Sequence, residues 1–278
     1  MDELYFDNGK ETFIVHHRKA LSHRMTINHF HSTYEVFYLM AGKREFFIKD
    51  RAFVIEEGDL IIISPNVLHR TMDTEIPVHE RLVVNIHESY ITAPDGSRSD
   101  VLHPLFEQEY ILVKGHLLKQ VPVNGLAQEI VREVREKKPG YEAYARALTL
   151  QMLIVGCRKW AEAGGEPQLY PSPVHERISE VVRYINSHYM EELSLDLLAE
   201  KFYVSPYYIS RSFKTATGFA FVEYLNIVRV KEATTLLLSS SLKVHVIAAR
   251  VGFGSVTHFG RVFKQITGRP PLFYRKMQ

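Results

Sequence analysis

The sequence has little of what a secreted or membrane-spanning protein requires. It contains one cysteine, Cys157, so an internal disulfide is excluded and a reducing compartment is indicated. Its longest purely apolar runs, such as Leu60–Ile63, are far shorter than the roughly 20 residues that cross a bilayer. The N-terminus has neither the positive charge nor the apolar run of a signal peptide. We therefore expect a soluble, cytoplasmic protein with no membrane partner and with Cys157 in its core.

Signatures of common enzyme chemistry are missing as well. There is no glycine-rich loop for binding phosphate and no serine nucleophile motif, so we predict no catalytic residues.

The net charge is only +2, but it is unevenly distributed. Residues 201–278 carry twelve Lys or Arg against two Glu, a net charge of +10, which leaves −8 on the first 200 residues. This separation is typical of a nucleic-acid-binding region joined to a region with another role.

The C-terminal region contains an internal repeat with a period of 50 residues. When 199–224 is aligned without a gap to 249–274, eight positions are identical. The identical pairs are Ala199/Ala249, Ser205/Ser255, Arg211/Arg261, Phe213/Phe263, Lys214/Lys264, Thr217/Thr267, Gly218/Gly268 and Tyr224/Tyr274. A repeat of this length indicates one supersecondary unit that is used twice.

Each copy of the repeat predicts a helix, a tight turn and a second helix. In the first copy, Ser205 caps the second helix, and Pro206 stands at its first position, where a missing N–H is tolerated. In the second copy, Gly252 supplies the turn and Ser255 the cap. Apolar residues at helical spacing point each second helix into a core, while its outer face is basic and hydrogen-bonding. The pattern favours a helix-turn-helix over a helical hairpin with a solvated basic face.

These motifs resemble the DNA-binding domain of the arabinose-operon regulator (AraC/XylS) family over about 173–278. The residues that carry the resemblance are 248–253, Ser255, Phe259, Arg261, Phe263, Lys264, Gly268 and the ending Pro271-Leu272-Phe273-Tyr274-Arg275. The resemblance implies a transcriptional regulator with two helix-turn-helix units joined by a rigid helix, here 222–238. It also implies operator DNA as a partner, read in successive major grooves about 34 Å apart. RNA polymerase is a further expected partner if the protein is an activator.

The outer faces of the two second helices supply the predicted DNA contacts. Serine, threonine, histidine and arginine side chains can reach base edges, and lysine can neutralise phosphates. The tyrosines Tyr207 and Tyr208 are expected to contact thymine methyl groups or sugars. The predicted contact residues are Tyr207, Tyr208, Ser210, Arg211 and Lys214 in the first copy, and Thr257, His258, Arg261 and Lys264 in the second.

Short strands dominate the first part of the chain. Runs rich in β-branched and aromatic residues are 13–15, 25–30, 36–40, 45–48, 53–55, 60–64 and 81–86, and turn residues such as 41–43 separate them. Many short antiparallel strands without intervening helices predict a two-sheet barrel of the jelly-roll or cupin kind.

Part of this region resembles the cupin motifs. His29-Phe30-His31 followed by Glu35 and Gly42 is similar to the first motif from its first histidine onward, and Gly58, Pro65 and His69 resemble part of the second. The expected glycines six residues before His29 and near Val67 are missing. In AraC-type regulators such a domain usually senses an effector, often a sugar. The resemblance therefore implies a sugar-like effector and a pocket formed by His29, His31, Glu35, Phe37, Tyr38 and His69, in which Phe37 or Tyr38 stacks on a sugar ring.

The same residues leave a second interpretation open. Three imidazoles and a carboxylate suit a divalent metal, so His29, His31, Glu35 and His69 are an alternative metal site that would permit enzyme chemistry. A further alternative is that they are hydrogen-bonded barrel residues in a regulator that takes no ligand. We expect a metal-free effector pocket with no cofactor and no catalysis.

Two helices are predicted between the barrel and the repeat. Apolar spacing of three and four begins at Val123 and ends before Pro139-Gly140, and a second helix runs from Tyr141 to Ala163. They cover the sheet or pair with another copy, and the family suggests a homodimer. The predicted fold is α+β and multidomain: a cupin-like barrel (1–122), a helical pair (123–163), a Gly- and Pro-rich linker (164–173) and an all-α double helix-turn-helix domain (174–278).

Overall fold

Within residues 2–20, 31–74, 78–92, 97–165 and 173–276, which the computed structural model describes, the first part of the chain forms eight strands. They are β1 (Asp2–Asp7), β2 (Phe13–Ala20), β3 (Tyr34–Ile48), β4 (Arg51–Glu56), β5 (Leu60–Ile63), β6 (His69–Asp73), β7 (His79–Ile86) and β8 (Tyr110–Val113). The antiparallel path is β1-β2-β7-β3-β5-β8, and β3 also pairs with β4 and β6. The predicted cupin-like architecture is confirmed, although this path does not close into a barrel within the described ranges.

The long strand β3 corrects one prediction. Residues 36–40 and 45–48 were expected to be separate strands with a turn at 41–43, yet they form one strand of 15 residues. The pairing with β7 shifts register between Leu39 and Ala41, which marks a β-bulge, and Gly42 has a φ of 91°. A side chain at Gly42 would collide with the Val78 carbonyl, so glycine here permits a bend rather than a turn. The predicted strand 25–30 lies outside the described residues.

In the described part of this region, three α-helices accompany the sheet: α1 (His103–Glu107), α2 (Val123–Glu136) and α3 (Tyr141–Glu162). The predicted helices from Val123 and from Tyr141 are therefore present, and they share a core with the alternate β3 residues Tyr34, Val36 and Tyr38. The next residues along β3 face the other way, because side chains alternate along a strand. No helix in the described part of the chain is both long and apolar enough to cross a membrane.

The chain divides near residue 170 into this unit and a helical C-terminal unit. The helices there are α4 (Pro173–His188), α5 (Leu195–Lys201), α6 (Pro206–Thr217), α7 (Phe221–Ser239), α8 (Val244–Arg250), α9 (Val256–Thr267) and α10 (Pro271–Arg275). Ser205 and Ser255 accept hydrogen bonds from the amides three residues on, so the predicted caps are confirmed. Gly218 and Gly268 end α6 and α9 in the left-handed conformation.

The sequence alignment predicted a repeat without gaps, but the structure shows a gap of one residue between the two copies. The second helices α6 and α9 are related by a shift of 50 residues, but α5 and α8 are related by a shift of 49. The amide of Val204 bonds to the Ala199 carbonyl as the amide of Phe253 bonds to the Ala248 carbonyl. Ala199 therefore corresponds to buried Ala248 and not to exposed Ala249. The second turn is one residue longer than the first.

Candidate functional site

Three of the predicted pocket residues converge in the N-terminal unit. Glu35 on β3 is contacted by two histidines: His31, which lies just before β3, and His69, at the start of β6. Oε2 of Glu35 is 3.1 Å from Nε2 of His31 and 3.4 Å from Nε2 of His69. The ligand atoms of all three lie within 4.8 Å of one another. His29, the fourth predicted member, lies outside the described residues.

Backbone carbonyls fix the orientation of both imidazoles. Nδ1 of His31 is 2.8 Å from the carbonyl oxygen of Thr33, and Nδ1 of His69 is 2.9 Å from that of Val67. Because a carbonyl oxygen only accepts, each Nδ1 carries the proton and each Nε2 is turned toward Glu35. The positions of both rings are therefore set before any ligand binds.

Charge within this cluster is strongly coupled. Burial alone would raise the pKa of Glu35, but the charge of His69 and hydrogen bonds from His31 and His69 hold this pKa well below its usual value. Burial would lower the pKa of His69, but the adjacent Glu35 carboxylate raises it. Glu35 and His69 thus favour each other's charged forms, a carboxylate beside a protonated imidazole.

The donor set also fits a divalent metal ion. A tetrahedral ion with bonds of about 2.0–2.1 Å separates its ligand atoms by about 3.3–3.4 Å. The Glu35–His31 and Glu35–His69 separations of 3.1 and 3.4 Å are close to this spacing. The Nδ1–H to carbonyl contacts are the second-layer bonds that metal-binding histidines usually make. His31, Glu35 and His69 could hold such an ion with small movements.

A cleft of about 210 Å³ opens beside this cluster. Its walls come from alternate residues of neighbouring strands, because residues that pair across an antiparallel sheet share one face. The lining residues are Tyr5, Ile14, His16, Glu35, Phe37, Thr71, Arg81, Val83 and Asn85.

The cleft decides which of the two predicted aromatic residues faces inward. Phe37 lines it. Tyr38 is buried on the opposite face of β3 with the helices, so the structure does not bring it to the pocket. The physical reason is the strict alternation of side chains along the strand, which places adjacent residues on opposite faces.

Several polar residues of the cleft were not predicted, and two of them, Arg81 and Asn85, lie on β7. The amide nitrogen of Asn85 lies 3.2 Å from Nε2 of His31 and 3.4 Å from Oε2 of Glu35. Arg81, on the same face of β7, has only 4% of its surface exposed. The signal was present in the sequence, because Arg81 and Asn85 alternate with apolar residues in a strand that was correctly predicted.

The C-terminal unit exposes the predicted DNA-contacting residues. Tyr207 is 71% exposed, and its hydroxyl accepts a hydrogen bond of 3.5 Å from Arg211 on the next turn of α6. Tyr208 is partly buried. The other predicted residues are exposed on α6 or α9, namely Ser210, Arg211, Lys214, Thr257, His258, Arg261 and Lys264. The opposite faces are held by buried Ile209, Phe213, Phe259 and Phe263.

Arg229 on α7 links the connection between α4 and α5 to the turn of the second helix-turn-helix. Its guanidinium donates 2.8 Å hydrogen bonds to the carbonyls of Tyr189 and Glu191, in the connection between α4 and α5. Its Cζ also lies 5.7 Å from the centre of the Phe253 ring, in the second turn. Burial lowers the pKa of this arginine, as expected for a partly desolvated cation. One side chain on the connecting helix α7 thus contacts both the α4–α5 connection and the second turn.

Comparison with known proteins finds relatives of both units. Residues 12–73 match the family model described as an AraC-like ligand binding domain, and residues 198–277 match that of a helix-turn-helix domain. The uncharacterized HTH-type transcriptional regulator YisR of Bacillus subtilis is 28% identical and covers 88% of this chain and 86% of its own. The uncharacterized HTH-type transcriptional regulator YfiF of the same organism is 25% identical, with 96% and 84% covered. The solved C-terminal domain of AraT, a response regulator from Geobacillus stearothermophilus, is 36% identical with a TM-score of 0.35, and the match covers 38% of this chain and 87% of that one.

Proposed function

We propose a function for this chain from the premise that it belongs to the AraC family of DNA-binding transcriptional regulators, with an AraC-like ligand binding domain before its helix-turn-helix domain. It is a regulator and not an enzyme. In our proposal, α6 and α9 read an operator, and a small polar effector of the size of a sugar binds in the cleft beside Glu35 in the cytoplasm. The observation that carries this proposal is the pairing of two exposed polar recognition helices with a separate cleft that contains buried polar groups.

The DNA-reading role makes different predictions for arginine and lysine. If Arg261 pairs with a guanine, Arg261→Ala should weaken operator binding by about 1–3 kcal/mol and relax the preference at one base position. Lys264→Ala should weaken binding to all sequences and reduce the slope of log affinity against log salt by about one. The measurement is fluorescence anisotropy of the full chain on a duplex selected from randomised DNA.

The control for these variants removes a positive charge outside both recognition helices. Lys231 lies on α7 and is partly buried. Because it is on neither recognition helix, Lys231→Ala tests the effect of the lost positive charge on DNA binding. An equal loss of affinity in Lys231→Ala and Arg261→Ala would argue against base reading by α9. A loss in Arg261→Ala that is uniform across all sequences would instead assign that arginine to a phosphate.

Effector binding must also change DNA binding. A ligand shifts a two-state protein only when it binds one state more tightly, so the effector should alter operator affinity when it occupies the cleft. A Phe37→Ala variant, which removes the aromatic wall, should lose this response and keep operator binding without effector. A ligand that binds the cleft and leaves both operator affinity and transcription unchanged would show that this domain is not the switch.

A bound divalent metal is the second candidate for this domain. The convergence of two Nε2 atoms and one carboxylate oxygen, with both Nδ1 positions on carbonyls, favours it. The test is the metal content of the purified full chain by mass spectrometry, together with its melting temperature with and without chelator. Bound zinc or manganese that is lost in His69→Gln, and a lowered melting temperature in chelator, support the metal. A metal-free chain with a melting temperature insensitive to chelator and to added metal excludes it.

We also propose that two copies associate through the outer face of α3. The outer face of α2 is charged. That of α3 is mostly apolar around one exposed polar residue, Gln151; its other residues are Tyr144, which is half exposed, Ala147 and the partly buried Leu150 and Ile154. A face of this composition favours a second copy over water. Sedimentation of the full chain should give a dimer that Tyr144→Glu converts to a monomer. A monomeric wild-type chain at micromolar concentration, or a dimer that persists in Tyr144→Glu, would contradict this interface.

A further inference from the structure

We propose that the effector carries an anionic group, a carboxylate or a phosphate, which pairs with the guanidinium of Arg81 in the cleft of the N-terminal unit. This inference rests on the proposed effector site and narrows the chemical class of its ligand. A neutral sugar would satisfy the hydrogen-bonding groups of the cleft but would leave this cation unpaired.

Arg81 is an unusual residue for the wall of a small cleft. Only 4% of its surface is exposed. Among the described residues, its one hydrogen bond is a long one of 3.4 Å from Nη1 to the hydroxyl of Thr71. Its Nε is buried and has no hydrogen-bond partner. A guanidinium can donate five hydrogen bonds, so most of this capacity is unused.

The charge of Arg81 also has no ion-pair partner in the part of the chain that the structure describes. Among the described residues no carboxylate lies within ion-pair distance of it, and Glu35, the nearest acidic residue of the cleft, is engaged by His31 and His69. Burial and the nearby positive charge of Arg44 lower the pKa of Arg81 to about 10, while the more distant charges of Glu35 and Glu3 oppose this shift. Arg81 is therefore charged at neutral pH. A buried cation without a counter-charge is costly, and proteins retain one where a ligand supplies the opposite charge.

The surroundings of Arg81 define the rest of the ligand. Its Cζ lies 5.8 Å from the centre of the Phe37 ring, so an anion held by the guanidinium lies beside an aromatic wall. Asn85 and His16 line other parts of the same cleft and offer hydrogen-bonding groups to hydroxyls. The volume of about 210 Å³ is smaller than the roughly 300–1,000 Å³ that is typical of ligand pockets. A sugar acid or a sugar phosphate combines these features.

The first experiment needs no identified ligand. In Arg81→Met the buried charge is replaced by an apolar side chain, and we expect the melting temperature of the full chain without ligand to rise by a few degrees. Arg132→Met is the matched control, because Arg132 is exposed on α2 and its replacement should change little. A melting temperature that falls by several degrees in Arg81→Met alone would assign Arg81 to the structure of the domain and overturn the inference.

The second experiment compares matched acidic and neutral probes. Glucuronate, glucose 6-phosphate and inorganic phosphate should each raise the melting temperature of the wild-type chain, while glucose should not. A rise in melting temperature with benzoate would show that any carboxylate suffices, whereas a rise with glucuronate alone would show that a sugar acid is required. Comparison of inorganic phosphate with the carboxylates shows which anion the site prefers. Arg81→Met should lose the rise, and Arg132→Met should keep it.

The outcomes separate this inference from the proposed function. A rise with glucose equal to that with glucuronate, a rise that persists in Arg81→Met, or no rise with any anion at high millimolar concentration would overturn the anionic ligand. A neutral sugar that changes operator affinity would leave the sensor function intact and overturn only its ligand class. An acid that binds through Arg81 without changing operator affinity would support the inference and contradict the sensor function.

Discussion

The turn glycine of the second helix-turn-helix provides a sharp test of the fold. Gly252 has a φ of 91°, and a Cβ atom there would lie 2.8 Å from the Tyr189 carbonyl oxygen and 2.9 Å from that of Met190. The third near neighbour, Nη2 of Arg229 at 2.9 Å, belongs to a flexible side chain, but the two carbonyl oxygens are backbone atoms and cannot move away as a side chain would. The left-handed conformation costs an alanine about 1–2 kcal/mol. Overpacking adds about 1–3 kcal/mol, so Gly252→Ala should lower the free energy of unfolding by about 2–5 kcal/mol.

Two nearby positions calibrate this prediction. A Cβ at Gly254 meets nothing within 4 Å and needs no positive φ, so Gly254→Ala should be neutral or slightly stabilising. In the first turn the left-handed residue is Tyr203, with a φ of 54° and 93% of its surface exposed. Tyr203→Gly therefore removes strain without loss of packing, and the greater freedom of glycine in the unfolded chain offsets part of the gain. We expect a stabilisation between zero and about 1 kcal/mol.

The assay is urea unfolding of the full chain, followed by far-ultraviolet circular dichroism. Trp160, the single tryptophan, lies on α3 and reports the N-terminal unit by its fluorescence. Gly252→Ala should shift the dichroism transition to lower urea by more than it shifts the Trp160 transition. If Gly252→Ala unfolds at the same urea concentration as Gly254→Ala, the geometric reasoning about this turn is wrong.

Three further predictions concern stability. Arg229→Ala removes two charge-assisted hydrogen bonds to carbonyls and should lower the free energy of unfolding in urea by about 1.5–3 kcal/mol. An unchanged free energy of unfolding would show that these hydrogen bonds do not stabilise the unit. Ser205→Ala and Ser255→Ala should each cost about 1 kcal/mol through loss of the N-cap, measured as reduced amide protection in the first turns of α6 and α9, and unchanged protection would contradict the caps. Gly125→Ala on α2 should stabilise the folded chain by about 0.5–1 kcal/mol. Gly156→Ala on α3 should not stabilise it, because the new Cβ would lie 2.7 Å from a side chain of β5. Equal melting temperatures for the two variants would contradict this difference.

Local chemistry explains which parts of the fold could be predicted from the sequence. The start of α6 depends on Ser205 and Pro206, and its end on Gly218, which are signals contained within a few residues. The period of the apolar residues likewise indicated the helices that begin at Val123 and Tyr141, because burial on one face imposes that period.

The features that sequence reasoning missed depend on distant partners. Ala41, Gly42 and Lys43 have the composition of a turn, and only the shifted pairing with β7 and the approach of Val78, just before β7, show that a bulge forms here. Ala249 matches Ala199 in type, but burial against the rest of the unit selects Ala248 as its true counterpart. Arg81 becomes a cleft residue only when β7 is set in register between β2 and β3, which no single segment specifies.

The difference of one residue between the two turns has a consequence for protein engineering. Helices α6 and α9 have the same length, the same serine at the start and the same glycine at the end, so each is a self-contained cassette. A chimera that carries α9 in place of α6 should keep the serine and glycine caps. If α6 and α9 read the operator as proposed, it should also transfer the sequence preference of one half-site to the other position. A graft of α8 into the place of α5 by the 50-residue alignment would rotate that helix by about 100°, the angle of one residue, and turn its apolar face to water. The exchange of DNA specificity between the two halves is therefore limited to the cassettes themselves.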